Sequence, residues 1–158
     1  MLNRKVYTAK TKPMFEGKVA KLKDFLEPEN KIASEYYIDD KSLKTWMYLK
    51  GGKKEERVTK SGFKYFYNEG PIAFPDYLDK PSRTIVTGEG GPSPSRFKHV
   101  VKVNGKYRRL TPVELEKLNM FEPNHTFGVS DIRRAFFMGN ALVVGIVTKL
   151  GEELIKRI

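Results

Sequence analysis

The 158-residue chain contains no cysteine. That excludes disulfides, thiolate metal ligands and a cysteine nucleophile among these residues, and it is compatible with a reducing compartment. Histidine is almost as scarce: His99 and His125 stand isolated and give no zinc-binding spacing, so no metal is expected. No apolar run of transmembrane length and no signal peptide are evident, so neither membrane insertion nor secretion is expected. Acids are outnumbered, with 19 Asp and Glu against 30 Lys and Arg. The formal charge of +11 points to an anionic partner, nucleic acid ahead of a membrane surface. Internal repeats and low-complexity tracts are missing too. What is present, 39% hydrophobic and 12% aromatic residues, suffices for the core of one domain, or of one domain with an arm.

The densest apolar stretch lies near the C-terminus and reads Arg134-Ala135-Phe136-Phe137-Met138-Gly139-Asn140-Ala141-Leu142-Val143-Val144. Two helical runs are expected to meet at Gly139-Asn140, held between packed helices. Ser130 is placed to cap the first, with Asp131 complementing the dipole in its first turn. Gly139 is expected to close that run in the left-handed conformation. Beyond it, Val143, Val147, Leu150 and Leu154 recur at helical spacing and mark one face of a second helix. Upstream, Thr111, Pro112 and Glu114 occupy N-cap, N1 and N3 of another helix, in which the hydroxyl and carboxylate satisfy orphan amides reciprocally. Leu115, Leu118, Met120 and Phe121 supply its apolar side, and Arg108 and Arg109 stand just ahead of it.

The N-terminal third opens on a basic arm, with Arg4, Lys5, Lys10, Lys12 and Lys18 against Glu16 alone, a possible short strand at Lys5 to Thr8, and Pro13 interrupting any helix. Short helices are expected over Val19 to Leu26 and from a cap at Asp40 to Gly51-Gly52, with Trp46 packed in the second. Lys50, Lys53 and Lys54 read as a basic loop, either solvated or touching nucleic acid. From Arg57 onward the texture turns to short β-branched and aromatic runs. Phe63 to Tyr67, Ile72 to Phe74, Thr84 to Thr87 and Lys98 to Val103 are strand candidates separated by Gly/Pro turns. Arg96, Lys98, Lys102, Lys106, Arg108 and Arg109 form an acid-free cluster interleaved with Phe97, His99 and Tyr107. That is the expected footprint of phosphate contact, with a solvated hairpin as the bland alternative. Glu89, the one acid between Lys80 and Arg109, is expected to accept from a base or to pair with an Arg.

Arg109-Leu110-Thr111-Pro112-Val113-Glu114-Leu115, followed at about twenty residues by Gly139-Asn140-Ala141-Leu142-Val143-Val144, resembles the ninth and tenth motifs of bacterial DNA (cytosine-5)-methyltransferases. Ser82-Arg83-Thr84-Ile85-Val86-Thr87-Gly88-Glu89-Gly90-Gly91 resembles the Thr-Leu or Thr-Ile core of their target-recognition domain. The resemblance is to the C-terminal part only. The family's AdoMet-binding Phe-x-Gly-x-Gly turn, Pro-Cys loop, Glu-Asn-Val strand and Gln-Arg-x-Arg block do not occur here. Since that chemistry needs a thiolate to attack C6 of the cytosine, the resemblance implies the recognition half of a methyltransferase, inactive alone.

The implied fold is α+β: a small, irregular, mostly-β target-recognition domain, then a C-terminal helical segment that packs on a separate Rossmann-like catalytic domain. Residues 1–56 would link toward the catalytic half, 57–110 would recognise the target, and 111–158 would carry the ninth and tenth motifs. The implied partners are double-stranded DNA and a catalytic subunit, in the bacterial cytoplasm at the nucleoid, as in a split restriction-modification enzyme. The expected DNA-binding residues are Arg83, Thr84, Thr87, Gly88, Gly90, Gly91, Arg96, Lys98, Arg108 and Arg109. Asn140 and Ala141 are expected to complete a pocket for S-adenosyl-L-methionine (AdoMet), although Asn140 could equally cap the second helix. The chief alternative is a stand-alone or vestigial sequence-specific DNA-binding module. A general basic nucleic-acid binder is the third.

Overall fold

In the computed structural model, residues 3–12 and 14–158 are described; Pro13 of the arm lies outside them. No strand runs through Lys5 to Thr8. The first turns are 3-10 in type, at Leu22–Phe25, Glu29–Lys31 and Ser34–Tyr36, so the helix expected over Val19 to Leu26 shrinks to four residues. Its anchoring is tertiary: Leu22 and Lys23 amides donate to the Lys80 and Leu78 carbonyls, at 2.9 and 3.1 Å, and Leu22 is fully buried.

Helix α1, Asp40–Lys50, begins one residue earlier in capping terms than expected, because Asp39 rather than Asp40 accepts the Ser42 amide at 2.7 Å. Trp46 is buried, as expected. The expected basic loop is instead a helix end and a strand. Lys50 is buried, and Lys53 and Lys54 open β1, Lys53–Val58. It pairs antiparallel with β2, Lys64–Glu69, in a register from Lys53 opposite Glu69 to Val58 opposite Lys64. A second hairpin joins β3, Val100–Val103, to β4, Lys106–Arg109. Its turn residues Asn104 and Gly105 both take positive φ, 48° and 81°, the two-residue turn that matches strand twist. Ile72 to Phe74 and Thr84 to Thr87 are not strands. The region from 70 to 99 is irregular and held by isolated bonds, among them Asp76 N–H to the Val100 carbonyl at 2.7 Å.

Helix α2, Pro112–Leu118, has the expected capping box: Thr111 Oγ accepts the Glu114 amide while Glu114 accepts the Thr111 amide. Helix α3, Asp131–Asn140, is capped by Ser130 as expected. Helix α4, Val144–Ile155, follows a break at residues 141–143. The core joins Leu22, Ile85, Val101, Leu110, Leu115, Ala135 and Met138. It therefore draws on all three expected segments, and the boundary expected between 56 and 57 falls inside β1. The architecture is α+β.

Two expectations for the C-terminal joint are corrected. Gly139 does not end α3 in the left-handed conformation; the helix continues through Asn140 and Ala141 terminates it in extended backbone. Asn140 does not cap α4, for its Nδ2 donates back to the Phe136 carbonyl at 2.9 Å, and Val143 is the N-cap residue. Helix α4 buries none of its residues, and Ile146, Leu150, Leu154 and Ile155 are all exposed. By length and composition alone the stretch Asp131–Ile155 could cross a membrane. The backbone divides it, however, into helices of 10 and 12 residues. At about 1.5 Å per residue neither reaches across a hydrocarbon core of about 30 Å.

Candidate DNA interface and recognition loop

Two glycines seat the loop that follows Thr84. A Cβ on Gly139 would overlap the backbone of Val86 and Thr87, lying 2.5 Å from Thr87 Cα. A Cβ on Gly90 would stand 2.9 Å from Ile132 Cα. The loop thus runs along α3 with backbone against backbone at both ends, which only residues without a side chain permit. Gly91, with φ of 80°, then turns the chain away. Between these anchors Thr87 and Gly88 are exposed, and so is Thr84 just before them.

Glu89 points inward. Its Oε1 accepts from His99 Nδ1 and from the His99 amide, both at 2.6 Å, and His99 Nε2 meets Ser82 Oγ at 3.1 Å. The expectation that Glu89 meets a base or an Arg is therefore corrected: its partner is His99, which is itself fully buried and not a DNA-facing ring.

Most of the expected DNA-binding cations are also interior groups. Arg108 makes a two-pronged pair with Glu114 at 2.7 and 2.8 Å, with both side chains buried. Arg109 lies over the Tyr36 ring and donates to the Gly91 and Glu35 carbonyls at 3.0 and 2.5 Å. Burial holds its guanidinium below the ordinary range. Lys98 donates to the Gly91 and Ser93 carbonyls, both at 2.8 Å, and burial lowers its affinity for a proton. Arg83 is half-buried against Asp76, with Nε–Oδ1 at 2.5 Å. Arg96 braces the base of the β1–β2 hairpin through Glu69 at 3.0 Å and through the carbonyls of Leu49, Gly51 and Gly70. Each has its donors on acceptors of the chain, where a phosphate would have to displace them. A cation-rich sequence reads as surface because acceptors distant in sequence, such as the Glu35 carbonyl that receives Arg109 and the Leu49 carbonyl that receives Arg96, are invisible to local counting. Of the expected set, Thr84, Thr87 and Gly88 remain open to a ligand.

Lys50 is an interior group that sequence reasoning misses altogether. Its Nζ donates to the Lys98 carbonyl at 2.5 Å, and burial, partly offset by Asp76, lowers its pKa to about 8. Since the unfolded side chain titrates near 10.5, the unfolded state binds more protons between those values, and stability should rise as pH climbs from 8 to 10.5. Urea unfolding of wild type and Lys50→Met across that range should show a steeper rise in wild type, the part left in the variant coming from Lys98, which burial shifts in the same direction.

A groove of about 440 Å³ lies beside the end of α3, lined by Thr84, Ile85, Leu118, Met138, Leu142 and Leu150 among others, with Ala141 in its wall. Asn140, next to Ala141, is exposed. The groove's walls are mostly apolar, Ala141 lines it, and Asn140 does not.

The fold is shared with a methyltransferase. The crystal structure of the S. pombe Dnmt2 methyltransferase superposes with a TM-score of 0.61 over 90% of this chain and 44% of its own, at 17% identity. In sequence, the chain is 37% identical over 156 residues to the Type II methyltransferase M.Sau3AI of Staphylococcus aureus, covering 99% of this chain and 37% of that protein. The family described as C-5 cytosine-specific DNA methylase matches residues 3–156, and the chain belongs to it.

Proposed function

We propose that this chain is the target-recognition part of a DNA cytosine-5 methyltransferase of restriction-modification type, acting as the smaller subunit beside a catalytic chain. The carrying observation is the uncovered apolar side of α4, where Ile146, Leu150 and Leu154 stand exposed in a chain with no cysteine to act as nucleophile. An apolar face of this size is a docking surface, and in this family the domain that needs one holds the thiolate. The chain spans 37% of the length of the S. aureus relative.

Thr84, Thr87 and Gly88 would meet the duplex, and Asn140 and Ala141 would close one side of the cofactor pocket. AdoMet supplies the methyl group when bound. The chain's own residues orient DNA and exclude water from that side. Such a protein works in the bacterial cytoplasm on chromosomal DNA.

The test mixes the purified chain with a catalytic chain bearing the upstream motifs, labelled AdoMet and duplex DNA. Methyl transfer is expected only with both chains, and Leu150→Asp, exposed in the chain alone, is expected to abolish co-purification and transfer together. Full transfer by the catalytic chain alone removes the proposal. Duplex binding with no transfer in any mixture identifies a stand-alone DNA-binding module instead.

A further inference from the structure

Helix α4 carries its apolar residues in one seam. Ile146, Leu150 and Leu154 follow one another at a spacing of four, Val147 stands beside them, and all are exposed, Leu150 by 66%. The helix is tied to the body near its start, where the Val144 amide donates to the Asn119 carbonyl at 2.9 Å and the Met120 side chain lies against Gly145. From Ile146 onward every residue except Gly151 is exposed. An uncovered seam of this kind marks an interaction surface.

Its edges are unlike, and the difference selects an occupant. Lys149 and Glu153, one turn apart, are neighbours on one edge; the opposite edge holds Gly151 and Ile155 and no charge. When two copies of a helix pack antiparallel, each edge meets the same edge of the other copy. Packed parallel, each meets the opposite edge. The charged edge therefore finds its complement only in the antiparallel arrangement: about a twofold axis at Gly151, Lys149 of either copy faces Glu153 of the other. Leu150 then meets its own counterpart across the axis, and Val147 lies beside Leu154. The contacts that these charges already make are exposed ones. Glu153 accepts from Lys156 at 2.6 Å through Oε1, while its Oε2 has no partner among the described residues, and Lys149 stands 5.7 Å from the Phe15 ring. Solvated contacts of that sort contribute little and are readily shared.

We propose that, until a catalytic chain takes α4, two copies of this chain pair through it, antiparallel about Gly151, with Lys149 on Glu153 at both ends. The pairing itself stands apart from the subunit role proposed above. Its consequence, that a catalytic chain must displace a second copy to reach its docking face, rests on that role. Twelve residues give about 18 Å of contact, a short interface that fits a pair dissociating in the micromolar range.

Sedimentation equilibrium of the full chain, over about three decades of concentration, tests it. Wild type should pass from monomer to dimer. Lys149→Glu and Glu153→Lys should each weaken self-pairing about tenfold, because each turns both attractive pairs repulsive. Mixing the two variants sets opposite charges against each other again at both ends, so a heterodimer should form with the wild-type affinity. That recovery also shows that neither variant has lost its fold. A wild type that stays monomeric throughout overturns the proposal, and so does a mixture that pairs no better than its components. Adding a catalytic chain separates the two readings. Loss of the homodimer as the mixed complex forms supports the shared face. A homodimer that obeys the charge swap beside a catalytic chain that binds nothing overturns the subunit role alone. A homodimer that persists inside the mixed complex overturns the displacement.

Discussion

Glu114→Ala is expected to lower the stability of the chain by about 3–5 kcal/mol, the cost of leaving one member of a buried ion pair alone. Arg108 and Glu114 are both buried, 3% and 0% exposed, so the orphaned guanidinium has no water to turn to. The same carboxylate also accepts the Thr111 amide and the Glu27 amide, both at 2.8 Å. Its removal therefore strands a cation, takes away the carboxylate half of the α2 capping box and releases the segment after Leu26 together. Glu114→Gln keeps the shape and one acceptor oxygen but loses the charge, and should recover part of the loss. Urea unfolding read through the fluorescence of Trp46, the chain's sole tryptophan and a buried one, measures all three proteins. A loss below about 1 kcal/mol in Glu114→Ala would mean that the pair is solvated and the reading of this interior is wrong.

The second large effect has an inverted sign. In an ordinary helix interior, Gly→Ala stabilises by up to about 1 kcal/mol, because alanine has less backbone freedom to lose. Gly151, in α4, has open space for 4 Å around the point where a methyl would stand, and should behave that way. At Gly139 the methyl would fall on the backbone of Val86 and Thr87, which cannot rotate aside as a side chain can. Gly139→Ala should therefore cost about 3 kcal/mol or more and pull the Thr84 to Gly91 loop off α3. Parallel thermal melts of the two variants check the pair. Equal and small shifts would sink the claim that α3 and the loop touch backbone to backbone.

What can be read from the sequence is local. The capping box at Thr111 and Glu114, the Ser130 cap and the burial of Trp46 depend on residues a few positions apart, and all three are found. The motif resemblance likewise leads to the family that matches residues 3–156. What cannot be read is long-range. Arg109 looks like a phosphate ligand because its acceptor at Glu35 lies 74 residues away. Glu116 is buried on Arg134, 18 residues on, at 2.9 Å, and although burial opposes it, bonds from Thr126 and Arg134 keep its carboxyl below the usual range. The commonest job of a glycine near a helix end is to close it, and the tertiary contact with Thr87 gives Gly139 another. Lys53 to Val58 carries too many charges to show strand periodicity. It forms β1 because Lys64 to Glu69 lies opposite, a pairing that no single-strand pattern reveals.

The β1–β2 hairpin is braced on one side, where Lys53 and Arg96 meet Glu69, and bare on the other, a division that separates heritable risk from heritable novelty. Alterations at Lys53, Glu69 or Arg96 loosen the scaffold, whereas Lys54, Val58, Phe66 and Asn68 are free to drift without endangering folding. A randomised library confined to those four codons should stay folded in nearly every clone.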